Sequence, residues 1–233
     1  MLMGAIFDMD GVVVDSHAAH IRTWKKLLLS LGKSLSDAEL DFVRQGIKRQ
    51  EILRHFLGDL EDEQVQAYCR EKDQLFQSEV ETIKLVPGAR ALLEDLKCAG
   101  VPTALATCGS TTRVYELLSR LRLENYFTSI VTGDEVAVGK PHPEVFYKAA
   151  ERLGVHPAES VVFEDSVSGV QGAKAAGMKC VGITDRPYAP ALLQAGADHV
   201  LPDLSGISWI EVQKLLARRS KQHHETRPRN AFL

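Results

Sequence analysis

The chain has 233 residues, of which 45% are hydrophobic and 25% are charged, a balance typical of a soluble globular protein. Its formal net charge of −3 at pH 7 excludes the overall basic charge that is typical of nucleic-acid-binding proteins. At roughly 100–200 residues per domain, this length fits one large domain, or a core with one insertion.

The cysteine pattern and the N-terminal sequence together favour a cytoplasmic protein. The four cysteines form no CxxC pair, so the sequence predicts neither a zinc site nor a redox motif. The N-terminal segment lacks the basic residues of a signal peptide and contains two aspartates where such a peptide is apolar. No apolar run approaches the ~20 residues that a membrane span needs. We expect a cytoplasmic protein that binds neither a membrane nor a nucleic acid. We also expect it to be a monomer or a weak dimer.

Short apolar runs that end in polar residues predict the strands of a parallel sheet. The first run covers residues 4–8 and ends in Asp8. Buried parallel strands have this continuous apolar character. Similar runs cover residues 101–107, 129–133, 160–165 and 179–183.

Helical patterns alternate with the later strands. This alternation predicts right-handed crossovers and an α/β class, with a Rossmann-like, doubly wound parallel sheet. Ligands bind at the carboxyl ends of the strands in such sheets, where the polar residues of this sequence lie. The predicted helices cover residues 89–99, 111–121, 143–153 and 167–176.

One purely helical segment interrupts this alternation after the first strand. Its patterns predict helices over residues 17–31, 49–57 and 61–80, and Ser36 with Glu39 has the spacing of a capping box. We therefore predict an inserted α-helical cap, with hinges near residues 15–16 and 83–87. The predicted divisions are a core of residues 1–15 and 84–220, a cap of residues 16–83, and a polar C-terminal tail of residues 221–233.

Two carboxylates, Asp8 and Asp10, follow the first strand only two residues apart. Buried charges without partners are costly, so a buried pair of this kind needs a cation. Magnesium is the natural candidate because it prefers hard oxygen ligands. Gly11 lets the chain turn sharply after the pair. Taken alone, the pair fits a solvated strand end as well as it fits a functional site.

Other polar residues follow later strands in the same way. Glu164 and Asp165 close one strand, Thr107 closes another, and Lys140 lies in a proline-stiffened loop before a helix. In a doubly wound sheet these positions converge. The resulting group of carboxylates, one hydroxyl and one ammonium predicts a site for a divalent cation and an anionic ligand.

These motifs together resemble the haloacid dehalogenase superfamily of hydrolases. They occur in that superfamily's order as Asp8-Met-Asp10-Gly-Val, then Thr107, then Lys140-Pro, then Glu164-Asp-Ser. The resemblance covers the core, and the position of the helical segment matches the superfamily's small type-one cap. It implies a cytosolic enzyme that transfers phosphoryl groups with the help of Mg²⁺.

The resemblance also implies a role for each catalytic residue. Asp8 would attack phosphorus and form an aspartyl-phosphate. Asp10 would act as general acid and then general base, which requires surroundings that raise its pKa. Thr107 would donate a hydrogen bond to a phosphoryl oxygen, and Lys140 would stabilise charge on the transferring group.

The same resemblance implies the metal ligands. Mg²⁺ would be held by the Asp8 carboxylate, the Asp10 backbone carbonyl and Asp165, with water completing the shell. Glu164 would either bind the metal directly or contact a residue that does. The acid at Asp10 argues against a dehalogenase, because a departing halide needs no proton, and it favours a phosphate ester as substrate.

The helical segment is similar to that of the β-phosphoglucomutases, which implies substrate contacts for His20, Trp24, Arg49 and Lys72. An arginine such as Arg49 suits the recognition of phosphate or carboxylate. His20 is expected to lie near Asp10 when the cap closes. Trp24 fits the interior of the cap equally well, and Lys72 fits a solvated helix face equally well.

The loop after Thr107 departs from the β-phosphoglucomutase pattern. Those enzymes tend to carry a Ser-Lys-Asn-like run there that helps to hold a second phosphate. Here the run after Thr107 is Cys-Gly-Ser-Thr-Thr-Arg, and no lysine follows the hydroxyl closely. Cys108 and Gly109 belong to the expected substrate site, and Arg113 could replace the lysine in part. We therefore expect a phosphatase acting on a small phosphorylated metabolite, with a phosphosugar mutase as the alternative. The intact acids argue against a third possibility, a non-catalytic binding protein.

Overall fold

The fold is described from a computed structural model that covers residues 2–185 and 187–222, without the side chains of residues 218–222. The predicted C-terminal tail therefore lies outside the described residues, apart from residues 221 and 222. These two residues end the last helix.

A six-stranded parallel sheet forms the centre of the core, in the order β5-β4-β1-β6-β7-β8. The predicted α/β class and the parallel sheet are confirmed. The final edge strand was not predicted, because its three half-buried residues are too few to give an apolar pattern. The strands are β1 (Gly4–Phe7), β4 (Thr103–Ala106), β5 (Ser129–Val131), β6 (Ser160–Glu164), β7 (Lys179–Ile183) and β8 (His199–Leu201).

Helices cover both faces of this sheet and bury a separate apolar cluster on each face. The four predicted core helices are present, whereas the last two helices were not predicted. None of the helices in residues 2–185 and 187–222 is long and apolar enough to cross a membrane. The core helices are α5 (Ala89–Cys98), α6 (Thr111–Arg120), α7 (Glu144–Leu153), α8 (Val167–Ala175), α9 (Ala189–Gln194) and α10 (Trp209–Gln222).

The helical segment after β1 has an apolar cluster of its own. Trp24, Leu27 and Leu53 are among its buried members. The expected capping box forms, with the Ser36 side chain accepting a hydrogen bond from the Glu39 backbone N–H. Short 3₁₀ turns follow the second and fourth helices, at Asp41–Arg44 and Val80–Thr82. The helices are α1 (His17–Ser30), α2 (Asp37–Leu40), α3 (Arg49–Leu57) and α4 (Asp62–Gln77).

The helical segment joins the rest of the chain through a short antiparallel ribbon. Strand β2 (Val14–Asp15) pairs with β3 (Lys84–Leu85), so the two crossings of the chain lie side by side. The predicted hinge regions fall at or beside these two strands. We propose on this basis that residues 16–83 form the cap and that the ribbon is its hinge.

Gly88, which follows the ribbon, packs closely against another part of the core, and Gly32, which follows α1, is its matched control. Both glycines have a positive φ, 80° at Gly88 and 79° at Gly32. A Cβ at Gly88 would overlap the Leu204 carbonyl, whereas a Cβ at Gly32 would have no atom within 4 Å among the described residues. We expect Gly32→Ala to lower the free energy of unfolding by about 1 kcal/mol, the usual cost of left-handed backbone. Gly88→Ala should lower it several-fold more, because two backbone segments must separate. Urea denaturation of both variants measures the difference, and equal losses would contradict the packing argument.

Candidate active site

The residues predicted from separate motifs meet at one edge of the sheet. Asp8 follows β1, Thr107 follows β4, and Glu164 ends β6, and the strand order puts β1 between the other two. The main chain fixes this convergence, because the Asp8 N–H donates to the Phe163 carbonyl at 2.9 Å. The sheet therefore presents the polar strand ends to a common cavity.

This cavity lies between the strand ends and the helical segment and encloses about 630 Å³, part of it open to solvent. Every predicted catalytic or substrate-binding residue except Lys140 lines it. Its polar and aromatic lining residues include Asp8, Asp10, His17, His20, Trp24, Arg44, Arg49, Lys72, Asp73, Thr107, Cys108, Arg113 and Asp165.

Lys140 is completely buried and contacts Asp8, which lines the cavity. Its Nζ donates to Asp8 Oδ1 at 2.5 Å and also to Glu164 Oε1. Burial opposes the charge on Lys140, but Asp8 and then Glu164 hold its pKa above the usual range. The lysine is therefore a fixed cation that holds two carboxylates from different strands.

Glu164 has both carboxylate oxygens engaged within the protein. Oε1 accepts from Lys140, and Oε2 accepts from the Ser166 N–H at 3.0 Å and the Ser166 hydroxyl at 2.9 Å. The side chain also lies so close to Gly169 that a Cβ there would overlap the carboxyl group. This arrangement favours the alternative in which Glu164 supports Lys140 over direct ligation of a metal.

Asp8 is surrounded by more negative than positive charge. Burial raises the pKa of its carboxyl well above the usual range. Lys140 opposes this rise, whereas Glu164, Asp165 and Asp10 add to it. A buried excess of carboxylates of this kind is relieved by a divalent cation with oxygen ligands.

The carboxylates therefore fit a magnesium ion by charge and by donor type. Within the described residues, no three His, Cys, Asp or Glu side chains are grouped to hold a metal. The expected set needs only two such side chains, Asp8 and Asp165, because the Asp10 backbone carbonyl and water supply its other ligands. The donor set is thus compatible with Mg²⁺.

His17, which the sequence analysis did not select, lies against Asp165. Its Nε2 is 2.7 Å from Asp165 Oδ2, and both side chains are mostly buried. Gly11, with a φ of 77°, makes room for the pair, because a Cβ there would overlap both groups. The only sequence signal for His17 is its place at the predicted hinge, just before the first helical pattern.

Asp10 is held by an arginine rather than left free. Arg113 donates from Nη1 to Oδ1 at 2.8 Å and from Nη2 to Oδ2 at 2.7 Å. The Ser16 hydroxyl donates to Oδ1 at 2.6 Å, and His20 Nε2 lies 3.2 Å from the same oxygen. Burial alone would raise the pKa of Asp10, but Arg113 and then His20 hold it well below the usual range. The expected raised pKa is therefore wrong for this conformation.

The loop after β4 places Thr107, Cys108 and Gly109 on the cavity wall. The Thr107 hydroxyl oxygen accepts a hydrogen bond from the Gly109 N–H at 3.0 Å, so its proton is free to point elsewhere. Burial raises the pKa of the Cys108 thiol to about 11. The cysteine is thus a neutral thiol at neutral pH.

All four residues expected from the helical segment line the cavity, and two of them, His20 and Trp24, come from α1. His20 reaches Asp10, and burial lowers the pKa of its imidazole to about 3, which keeps it neutral. Trp24 is only 2% exposed and belongs to the apolar cluster of the helical segment. Trp24 therefore packs in that cluster and also forms part of the cavity wall, and its contact with a substrate stays a prediction.

Arg49 and Lys72 are both largely shielded from solvent. Arg49 pairs with Asp73 from α4 and, at 2.9 Å, with Asp134 from the core. Lys72 is only 3% exposed, so the solvated-face interpretation of this residue is wrong. Asp134 was not selected from the sequence, because nothing in its local pattern marks it as a partner of a distant arginine.

Comparison with known proteins agrees with this geometry. Residues 5–183 match the family described as haloacid dehalogenase-like hydrolase. The chain is 37% identical over 199 residues to a phosphorylated carbohydrates phosphatase from Thermotoga maritima, covering 82% of this chain and 90% of that protein. It is 33% identical to hexitol phosphatase A from Escherichia coli, covering 88% of this chain and 93% of that protein.

A solved structure extends the likeness to the fold. The crystal structure of β-phosphoglucomutase from Clostridium difficile superposes with a TM-score of 0.84 at 25% sequence identity, covering 95% of this chain and all of that one. The strand-end motifs, the sheet order and the family match agree over most of the chain. The protein belongs to the haloacid dehalogenase-like hydrolases.

Proposed function

We propose that the protein is a cytoplasmic, magnesium-dependent phosphatase that hydrolyses a small phosphorylated metabolite through an aspartyl-phosphate on Asp8. The observation that carries this proposal is the buried Lys140, which pairs with Glu164 and with Asp8, a residue of the cavity wall. The names of relatives that act on phosphorylated carbohydrates and hexitols support a sugar phosphate or a similar compound as substrate.

In the first step, Asp8 attacks the phosphorus atom. Its Oδ1 accepts the hydrogen bond from Lys140, which leaves Oδ2 as the attacking oxygen. A bond forms between this oxygen and phosphorus while the bond from phosphorus to the ester oxygen breaks. Asp10 gives its proton to the departing oxygen, and Thr107 donates a hydrogen bond to the phosphoryl group.

In the second step, water attacks the phosphorus of the aspartyl-phosphate. Asp10 takes a proton from this water, the bond between phosphorus and Asp8 breaks, and inorganic phosphate leaves. The ionised state of Asp10, which Arg113 favours, suits this second step. The first step requires Asp10 to be protonated and to turn away from Arg113 when substrate enters.

Hydrolases of this family are generally metal-dependent, and we propose Mg²⁺ here. Asp8, Asp165 and the Asp10 backbone carbonyl would hold it, with Glu164 in support through Lys140. When bound, the ion neutralises negative charge on Asp8 and on the phosphoryl oxygens. The buried excess of carboxylates supports this assignment.

We propose that the helical segment closes over the substrate. His20, Trp24 and Lys72 would then complete the cavity from the cap side. Closure excludes water while the aspartyl-phosphate forms, and opening admits it afterwards.

A phosphosugar mutase is the second candidate, favoured by the likeness to the β-phosphoglucomutase structure. The two candidates differ in what accepts the phosphoryl group from Asp8. Incubation with β-glucose 1-phosphate and a trace of glucose bisphosphate separates them. Efficient formation of glucose 6-phosphate without release of phosphate would overturn the phosphatase proposal.

The covalent route predicts the behaviour of Asp8→Asn. We expect magnesium-dependent hydrolysis of an aryl phosphate to fall to background, because the amide cannot attack phosphorus. Its melting temperature should not fall, because the substitution removes one charge from a buried excess of negative charge. Asp59→Asn, at an exposed loop position, is the control. Normal turnover by Asp8→Asn would contradict the covalent route.

The role of Lys140 as a fixed cation predicts a pH-dependent loss of stability in Lys140→Met. Removal leaves two buried carboxylates without their cation, which costs about 3–5 kcal/mol when both are ionised. Without Lys140 the pKa of Asp8 in the folded protein rises further above its value in the unfolded chain. The variant is therefore most stable below the unfolded-state pKa of Asp8 and loses stability as the pH rises through the folded-state pKa. We expect the deficit in unfolding free energy to be larger at pH 8 than at pH 5.

Urea denaturation in the presence of a chelator measures this deficit. Lys25→Met is the matched control, because the pair of Lys25 with Asp37 is exposed and worth about 0.2–1 kcal/mol. A deficit of equal size at the two pH values would refute the electrostatic role.

A further inference from the structure

Within residues 2–185 and 187–222, Asp165 forms an ion pair with one basic side chain, and this side chain comes from the helical segment. We propose that this residue, His17, is a positioning residue that holds the Asp165 carboxylate in the orientation in which it binds the metal ion. The inference rests on the proposed Mg²⁺ site and adds to it a residue that lies outside the expected ligand set. His17 acts through Asp165 and does not itself touch the ion.

The side chain of Asp165 lies at the boundary between two cavities. It lines the cavity that contains Asp8, and it also lines a second cavity beside the ribbon, of about 1210 Å³ and partly open to solvent. Its backbone is held by the end of β6 on one side and by Ser166, the residue that caps α8, on the other. This backbone leaves the carboxylate two directions, and one of them leads towards Asp8. A metal site at Asp8 therefore needs a contact that selects this direction.

His17 makes a contact of this kind. Its Nε2 lies 2.7 Å from Asp165 Oδ2, and the two side chains are 14% and 11% exposed. A carboxylate that binds a metal is ionised, so Oδ2 accepts the hydrogen bond and the His17 Nε2–H donates it. The bond occupies one oxygen of Asp165 and leaves Oδ1 for the ion.

The neighbouring cations are committed to other carboxylates. Lys140 donates to Asp8 and to Glu164. Arg44 lines both cavities, as His17 does, but it pairs with Asp41 at 3.0 Å. Loss of His17 would therefore remove the ion-pair partner that Asp165 has among the described residues. A buried carboxylate without a donor is costly, so we expect it to turn towards the second cavity and its solvent.

The position of His17 in the chain suits this role. It is the first residue of α1 and follows β2 of the ribbon after a single residue. A residue beside the proposed hinge moves least when the cap rotates. The contact is therefore placed to hold Asp165 in the open and the closed states of the cap.

Direct binding of Mn²⁺ tests the proposal without turnover. This ion takes the same hard oxygen ligands as Mg²⁺, and the electron paramagnetic resonance signal of the free ion gives its Kd for protein freed of metal with a chelator. Hydrogen-bonded partners of metal ligands are typically worth about 10–100-fold in metal affinity, so His17→Ala should raise the Kd at least about ten-fold.

Two further variants separate positioning from a general structural role. His17→Gln should restore most of the lost affinity, because the glutamine amide nitrogen also donates a hydrogen bond. His156→Ala, at an exposed histidine that is not among the lining residues of either cavity, should bind Mn²⁺ as the unmodified protein does.

Hydrolysis of an aryl phosphate gives a second measurement. In His17→Ala, the Mg²⁺ concentration for half-maximal rate should rise by about the same factor as the Kd for Mn²⁺. The KM for the ester at saturating Mg²⁺ should change much less, because His17 acts on a metal ligand. A general loss of structure would not separate the two quantities in this way.

Equal or tighter binding of Mn²⁺ by His17→Ala would overturn the inference, and tighter binding would mean that His17 competes with the ion for Asp165. A loss of affinity that His17→Gln does not restore would also overturn it, since that result indicates a packing role. If the expected differences in Mn²⁺ binding appear but no phosphate ester is hydrolysed, the inference stands and the phosphatase proposal falls. If the unmodified protein binds no Mn²⁺, the inference and the proposed metal site fall together.

Discussion

The contact between one buried ammonium and two carboxylates organises this molecule. Lys140 comes from a loop before α7, Asp8 from the end of β1, and Glu164 from the end of β6. Each charge would be prohibitive alone in the protein interior, so the three segments are fixed relative to one another. The same contact directs one oxygen of Asp8 to the lysine and leaves the other for the cavity. The chemistry and the packing of the strand ends therefore share a single electrostatic requirement.

Much of the core could be predicted from the sequence, because its strands are continuously apolar and each ends in a polar residue. Asp8, Thr107 and Glu164 converge because the order of parallel strands requires it, not because they are near in sequence. Strand β8 and helix α9 escaped prediction because they are short and carry weak patterns.

The parts of the site that escaped prediction depend on long-range pairing. Arg113 captures Asp10 across more than a hundred residues, and this pair reverses the direction of the pKa shift expected for the carboxyl. Lys72 lies in a charged helix, and it is buried where that helix packs beside Trp24 of α1. Such contacts join segments that are far apart in the sequence, which no local periodicity encodes.

The β2–β3 ribbon has a consequence for how such proteins diversify. The chain leaves and re-enters the core through neighbouring residues that are hydrogen-bonded to each other. An insertion whose ends are paired in this way does not require the core to change, because the two ends lie together whatever the length or internal structure of the insertion. The inserted helices can therefore be rebuilt, lengthened or exchanged over evolution while the sheet and its strand ends keep their geometry.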